Sequence, residues 1–330
     1  MIMNVSSFEG KKVLITGGIG FIGSNLARRL VKLGAEVTVV DSLIPEYGGN
    51  LFNIEEIKDD IDVQFSDVRD HHSMEYLIRG KDYLFNLAGQ TSHMDSMSDP
   101  ETDLEINCRA QLFILEACRK HNRDVKVVFA STRQIYGKPD YVPVDEQHLL
   151  RPVDVNGINK MAGEWYHILY NNVYDIAACA LRLTNTYGPR MRVKDARQTF
   201  VGVWIRCLVE STPFEVWGGQ QLRDFTYVDD LVDALLLAGL SEKANGQVFN
   251  LGGEPVINLK DLADLLVKAN GGGEYKVRTF PEDRAKIDVG DYYADDASIR
   301  TTLDWQPKTE LGDGLAQTLA FYHKHLEHYL

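Results

Sequence analysis

The chain contains few cysteines, and they form neither a metal-binding nor a disulfide pattern. Four are present among 330 residues, at positions 108, 118, 179 and 207, without a Cys-x-x-Cys pair and without clustering with histidine. Structural zinc sites and disulfide scaffolds depend on such spacing, so we predict neither. Unpaired cysteines are typical of a reducing compartment, and we expect a cytoplasmic protein that holds no metal.

Long apolar segments and positive charge are also scarce. No run approaches the roughly 20 apolar residues of a membrane-spanning helix, and we expect no signal peptide. Lys and Arg number 35 against 48 Asp and Glu, which gives a formal net charge of -13. This balance argues against a general nucleic-acid or anionic-membrane binder. A phosphate-bearing small ligand remains compatible with it, because local arginines and backbone amides suffice to bind one.

The sequence does contain a regular alternation of strand and helix patterns. Short apolar runs that end in small or polar residues predict buried strands within 11–18, 35–42, 63–67, 83–89 and 125–132. Helical-period segments such as 22–34 and 103–122 lie between them. This alternation predicts an α/β fold with a Rossmann-type, doubly wound parallel sheet. A ligand would bind beyond the carboxyl ends of its strands.

The pattern becomes less regular after a sixth predicted strand near residues 176–183. Helices are predicted at 198–210, 229–240, 258–269 and 311–326, with short strands within 214–219, 247–253 and 276–280. No low-complexity linker separates this part from the rest. We therefore predict a sheet domain mainly from residues 1–180 and a smaller carboxyl-terminal lobe mainly from 181–330, with the chain interleaving between them.

A glycine-rich turn between the first strand and the first helix is typical of dinucleotide binding. Gly17, Gly20 and Gly23 let the backbone approach a pyrophosphate, whose charge the helix amino terminus stabilises. Asp41 ends the next strand. A carboxylate there accepts hydrogen bonds from ribose hydroxyls and repels a 2′-phosphate, so we predict NAD rather than NADP.

Two later strand ends add predicted cofactor contacts. Asp67 follows the third strand, where its carboxylate can meet an adenine amino group or simply cap the loop. The fourth strand ends in small residues past which a cofactor can run closely. The predicted set adds Phe21, Ile22, Val68, Leu87, Ala88 and Gly89 to the three glycines, Asp41 and Asp67.

These motifs, in this order, resemble the extended short-chain dehydrogenase/reductase family, in its nucleotide-sugar epimerase and dehydratase branch. The resemblance covers nearly the whole chain and includes "TGGIGFIG", "NLAGQ", "STRQIYG", "LRLTNTYGPR", "LRDFTYVDD" and "FNLGG". Overall the chain is similar to UDP-glucose 4-epimerase-type proteins. The resemblance implies that NAD transiently oxidises a sugar carbon. The resulting ketone permits inversion, dehydration or decarboxylation, and the hydride is usually returned.

The resemblance implies catalytic roles for two residues and the absence of the family's tyrosine at a third position. Thr132 matches the residue that hydrogen-bonds the reacting oxygen. Lys160 matches the lysine that holds the nicotinamide ribose and lowers the pKa of its neighbour. The family's base is a tyrosine four residues before that lysine, where this chain has Asn156. An asparagine amide cannot act as a base, and no tyrosine lies between Tyr141 and Tyr166 to replace it.

Three hypotheses account for the missing tyrosine. In the first, an epimerase uses another proton relay, either a water oriented by Asn156 or the imidazole of His93, a residue type suited to acid–base work. In the second, the chain is a 4,6-dehydratase. That is disfavoured because Arg133 and Gln134 occupy the places of the family's acidic residues. In the third, the protein binds NAD and a nucleotide sugar without catalysis. We favour the first.

The resemblance also implies the substrate and the assembly. The predicted substrate contacts are Gln90, Arg133, Gln134, Asn185, Arg223 and Arg284. Of these, Arg223 and Arg284 lie in separate loops and can clamp a diphosphate, since guanidinium forks match phosphate oxygens. A UDP-sugar is favoured, and a basic Arg133 would suit a uronate. Family members often dimerise through two helices, here within 101–121 and 158–172, so we predict a homodimer.

Overall fold

The computed structural model of the protein describes residues 7–280 and 289–330. Its strands are β1 (Lys12–Thr16), β2 (Glu36–Asp41), β3 (Ile61–Phe65), β4 (Tyr83–Asn86), β5 (Lys126–Thr132), β6 (Ala178–Leu183), β7 (Asn185–Tyr187), β8 (Phe214–Trp217), β9 (Leu222–Arg223), β10 (Phe225–Tyr227), β11 (Val248–Asn250), β12 (Ile257–Asn258) and β13 (Tyr275–Arg278). Its helices are α1 (Phe21–Lys32), α2 (His71–Leu77), α3 (His93–Ser98), α4 (Pro100–Leu104), α5 (Ala110–His121), α6 (Val155–Tyr174), α7 (Phe200–Val209), α8 (Val228–Leu240), α9 (Leu259–Ala269), α10 (Ala297–Leu303) and α11 (Leu311–His325). A π-helical turn, Glu105–Arg109, joins α4 to α5.

Seven strands form one parallel sheet in the order β11-β6-β5-β4-β1-β2-β3. The strand order reverses between β1 and β4, and connections to either side leave a crevice at that point. Just there the hydroxyl of Thr16 donates to Asn86 Oδ1 at 2.8 Å and also accepts from the backbone of Leu87 and Ala88. The predicted doubly wound α/β fold is therefore confirmed.

Both faces of the sheet are covered, which explains why its strands are apolar at successive positions. On β1, Val13 and Ile15 belong to one core cluster and Leu14 to the other. The first cluster includes residues of α1 and α8, and the second includes residues of α2 and α5. The cores hold β1 rigidly, so the turn that follows it has a fixed position.

The carboxyl-terminal lobe has a third cluster, built from α7, α9 and α11 around Trp204, Phe214 and Tyr322. The chain returns from this region to the large sheet, because β11 pairs with β6 at its edge. β7 and β10 form a separate parallel pair beside it. The division of domains near residue 180 stays a prediction.

The predicted strands and helices are confirmed, with the four carboxyl-terminal helices within two residues of their predicted ends. The two-residue strands β9 and β12 and the π-helical turn were not predicted, because so few residues show no periodicity. The four cysteines are free thiols. Within residues 7–280 and 289–330, no helix combines the length and the apolar character that crossing a membrane requires.

Candidate active site

The glycine turn after β1 is shaped by positions that tolerate no side chain. Gly17 has φ +67°, and a Cβ there would lie 3.0 Å from Ala88 Cα. A Cβ on Gly23 would lie 2.2 Å from the carbonyl oxygen of Gly17. Since α1 begins at Phe21 without a side-chain cap, its first backbone N–H groups face the turn. This is an anion-binding arrangement that fits a pyrophosphate.

One cavity, here called the glycine-loop cavity, begins at this turn. It is lined by Gly17, Gly20, Phe21, Ile22, Gly23, Asp41, Asp67, Val68, Leu87, Ala88 and Gly89, together with residues such as Tyr47 and Gln198. Every predicted cofactor-binding residue except Lys160 is in this lining. The structure therefore brings together side chains from the ends of four strands in the manner that an extended dinucleotide requires.

Asp41 is held rigidly in the cavity wall. Its Oδ2 accepts from the Ile19 amide at 3.1 Å and its Oδ1 from the Leu43 amide at 2.9 Å. Burial raises the pKa of Asp41, and these two amide donors oppose that effect. Asp67 is also constrained, because its carboxylate accepts from the backbone and guanidinium of Arg69. It caps its own loop and lines the cavity at once.

We expect Asp41→Asn to bind NAD with a smaller advantage over NADP than the wild type does. The ratio of the two dissociation constants should change by about tenfold or more, which corresponds to about 1.4 kcal/mol of binding free energy. The substitution removes the negative charge that repels a 2′-phosphate and keeps the side-chain size. Titration calorimetry with both cofactors measures the ratio of dissociation constants. Asp62→Asn, on the exposed side of β3, is the matched control. An unchanged ratio in Asp41→Asn would contradict this role.

Lys160 lies on α6 next to the glycine-loop cavity. Its Nζ donates to the Ala130 carbonyl oxygen at 2.9 Å and lies 4.8 Å from the centroid of the Phe129 ring. A Cβ on Gly89 would come within 3.0 Å of this Nζ, so the ammonium borders the cavity wall. Burial lowers the pKa of Lys160 to about 8, and the charge of Asp103 opposes the shift.

Thr132 ends β5 and caps the 3-10 turn that follows it. Its Oγ1 accepts from the Gln134 amide at 3.2 Å, which leaves the hydroxyl hydrogen able to donate. Below it, Ser131 donates to Glu164 Oε2 at 2.6 Å, and Glu164 forms an ion pair with Arg182. The strand carrying Thr132 is thereby tied to the helix carrying Lys160.

Asn156 belongs to a buried polar group, here called the asparagine–aspartate cluster, made of Asp103, Asn107, Asn156 and Asn159. The Asp103 carboxylate is fully buried and accepts from the side-chain amides of Asn107, Asn156 and Asn159 at 3.0, 3.1 and 2.7 Å. The Asn156 amide also donates to the Gln90 carbonyl oxygen at 2.8 Å. Asn156, which the resemblance aligns with the family's tyrosine, is therefore engaged in a buried hydrogen-bond network.

A second cavity, here called the lobe cavity, adjoins the first at Gln198, which lines both. Its lining includes the predicted residues His93, Arg133, Gln134, Asn185 and Arg223, with the aromatic rings of Phe200, Trp204, Phe214 and Trp217. Gln90 is buried behind this wall rather than in the lining. Arg284 lies outside the described residues, so its predicted role stays a prediction.

Two arginine side chains of the lobe cavity are held in place by contacts with other protein groups. The Arg133 guanidinium lies 5.0 Å from the Tyr292 ring centroid and donates to Asn185 Oδ1 at 3.4 Å. Arg223 Nη1 donates to the carbonyl oxygens of Leu222 and Gly290. These contacts fix two cations on the wall, where they can meet an anionic ligand at little entropic cost.

Sequence reasoning missed Asp103 and Asp154. Asp154 caps α6, with its Oδ1 accepting from the Gly157 amide at 2.7 Å, and its Oδ2 lies 2.9 Å from His93 Nδ1. The capping role is recognisable from an Asp just before a helical pattern. The contact with His93 is not, because the two residues are 61 positions apart and belong to different elements.

Comparison with known proteins agrees with this geometry. Residues 13–252 match the model of the NAD dependent epimerase/dehydratase family. The chain is 30% identical to a UDP-glucose 4-epimerase of Mycolicibacterium smegmatis, over 94% of this chain and 98% of that protein. It is 29% identical to a dTDP-glucose 4,6-dehydratase of Streptomyces niveus, over 94% and 92%.

Among solved structures, the chain is similar to the UDP-glucose 4-epimerase of Thermotoga maritima with UDP-glucose. The TM-score is 0.86 at 30% identity, with 96% of this chain and 99% of that one covered. The glycine turn, the acidic residue that ends β2 and the fold thus have a common explanation. The chain belongs to the NAD-dependent epimerase/dehydratase family.

Proposed function

We propose that the protein is an NAD-dependent epimerase that acts on a UDP-sugar through a transient ketone. The observation that carries this proposal is the adjacency of the two cavities, which share Gln198 in their linings. Gly89, next to Lys160 Nζ, lines the first cavity, and Arg133, which follows Thr132 in the chain, lines the second. A dinucleotide in the glycine-loop cavity and a nucleotide sugar in the lobe cavity would approach each other there. Relatives named as UDP-glucose 4-epimerases support the choice of substrate class.

Bound NAD supplies a reversible acceptor for the hydride of a sugar carbinol. Thr132 then donates a hydrogen bond to the reacting oxygen, and the Lys160 ammonium stabilises negative charge that develops there. Arg133 and Arg223 orient the anionic and polar parts of the substrate. The aromatic rings of the lobe cavity offer a face on which a nucleobase can stack.

The proposal is tested by incubating the protein with a panel of UDP-, CDP-, dTDP- and GDP-sugars. Each sugar carries deuterium at the carbon that would be oxidised. An epimerase yields an isomer of unchanged mass that retains the deuterium, because the same hydride is returned. A 4,6-dehydratase yields a product lighter by one water, and Arg133 with Gln134 argues against that outcome. Tight binding without product or reduced cofactor from any member of the panel would contradict the proposal and favour a binding protein.

We also propose that two copies of the chain pair through α6. Ile158, Trp165, Leu169 and Val173 are 50%, 56%, 48% and 58% exposed and follow one face of this helix. Exposed apolar side chains in such a row indicate a protein interface. We expect a dimer in sedimentation equilibrium, and Trp165→Glu with Leu169→Glu to produce monomers. Val277→Glu, at a 51% exposed site in the other lobe, is the control. A monomeric wild-type protein would refute the pairing.

A further inference from the structure

The proton relay that replaces tyrosine must include a titratable group near Thr132. Asn156 does not titrate, and its amide is engaged by Asp103 and Gln90. The Lys160 ammonium donates to the Ala130 carbonyl oxygen, and the proposed function assigns it to stabilising a developing alkoxide. A separate group is therefore needed to accept the hydroxyl proton.

His93 is the imidazole on the wall of the lobe cavity. It begins α3, and its side chain is 36% exposed, so a ligand can reach it. Its Nε2 lies 2.9 Å from Gln134 Nε2, and the Gln134 backbone amide in turn donates to Thr132 Oγ1. The imidazole is thus connected to the turn that carries Thr132.

Asp154 holds the other side of the imidazole. Its carboxylate is 2% exposed, and one oxygen is fixed by the Gly157 amide at the start of α6. The second oxygen lies 2.9 Å from His93 Nδ1, although the ring N–H is not aligned with it in this conformation. A small rotation of the ring converts this contact into a charge-assisted hydrogen bond.

The two neighbours favour one tautomer of His93. A hydrogen on Nδ1 points to the Asp154 carboxylate, and a lone pair on Nε2 accepts from the Gln134 amide. Within the described residues, no donor reaches Gln134 Oε1, so that oxygen can accept from a substrate hydroxyl. A hydroxyl that displaces the Gln134 amide from Nε2 would meet a free lone pair on the imidazole.

We propose that His93, positioned by Asp154, takes and returns the substrate hydroxyl proton in place of the missing tyrosine. This inference rests on the proposed epimerase function. The O–H bond breaks and an N–H bond forms at His93 Nε2, while the O–H electron pair becomes the second carbon–oxygen bond as the hydride leaves to NAD. The reverse transfer restores the hydroxyl. The Asp154 carboxylate stabilises the imidazolium that forms.

Other charged groups surround the imidazole. Arg133 lines the same cavity from the turn after β5, and Arg197 lines it while paired with Asp95 of α3 at 2.8 Å. Arg197 is thus already paired with a carboxylate, and Asp154 is the charged side chain that contacts the imidazole, at 2.9 Å.

Three variants test the relay with the substrate that the panel identifies. His93→Gln keeps a polar side chain but cannot accept a proton, and we expect kcat to fall about 10²- to 10³-fold with little change in substrate affinity. Asp154→Asn keeps the helix cap, because Asn caps helices as well as Asp. We expect it to lower kcat about tenfold and to move the acidic limb of the kcat/KM profile to lower pH. His72→Gln, on an exposed side chain of α2, is the control.

The tautomer of His93 is measured independently of turnover by ¹⁵N NMR. We expect the Nδ1–H form in the wild type and a mixed population in Asp154→Asn. An Nε2–H form in the wild type contradicts the relay by itself. Full activity in His93→Gln contradicts it as well and favours a water held by Asn156. A wild-type protein inactive on the whole panel contradicts the epimerase function instead, so the two failures are distinguishable.

Discussion

Replacing Lys160 with methionine is expected to lower kcat on the order of 10³-fold while leaving the protein folded. The ammonium borders the cavity wall at Gly89 and is the charge that we expect to stabilise a developing alkoxide. Methionine preserves most of the volume of the buried stem. It also removes a charge whose burial is unfavourable, as the pKa lowered to about 8 indicates.

Two measurements check this expectation. Steady-state turnover gives the loss of kcat, and thermal unfolding is expected to change by only a few degrees, because the loss of the hydrogen bond to Ala130 costs only about 1 kcal/mol. Cofactor affinity is measured separately. Wild-type turnover in the Lys160→Met variant would place the charge stabilisation elsewhere.

The lowered pKa of Lys160 determines how both kcat and folding stability change with pH. The folded-state pKa of Lys160, about 8, lies below its ordinary value of 10.5, so the ammonium deprotonates earlier in the folded protein. The Lys160-dependent part of kcat is therefore present below about pH 8 and declines as the pH rises through it. Folding stability changes in the opposite sense: it increases between about pH 8 and 10.5, because the unfolded chain binds the extra proton there.

Replacing Glu164 with alanine is expected to destabilise the protein by about 3–5 kcal/mol. Glu164 and Arg182 are 1% and 3% exposed, and Arg182 Nη2 donates to Glu164 Oε1 at 2.6 Å. Removing the carboxylate leaves the guanidinium buried, with Tyr136 and the carbonyl oxygen of Glu146 as its remaining partners. Ser131 also loses its acceptor, so the end of β5 loosens beside Thr132.

Chemical denaturation measures the change in the free energy of unfolding. Glu55→Ala is the matched control, since Glu55 forms a surface ion pair with Lys58 and its loss costs at most about 1 kcal/mol. The double variant Glu164→Leu with Arg182→Met is expected to recover much of the stability, because it removes both buried charges. A decrease in the free energy of unfolding of less than about 1 kcal/mol in Glu164→Ala would show that water hydrates the Arg182 guanidinium in the variant.

The missing tyrosine illustrates how far sequence reasoning extends. The family resemblance implies that Asn156, four residues before Lys160, occupies the position of the base, and the chemistry of an amide excludes it as a base. The sequence leaves open whether Asn156 orients a water or has another role. Its packing against Asp103 and Gln90 depends on three separate segments meeting below the cavity, which no local pattern encodes.

The fold and the use of NAD were determined by the sequence itself, because their signals are local. Strand and helix periodicity, three glycines at one turn and an acidic residue one strand later specify the sheet and the dinucleotide. Tertiary structure alone decided the contact of His93 with Asp154 and the buried carboxylate of Asp103. These depend on side chains from distant elements, whose approach is set by the packing of α3, α4 and α6 against one another.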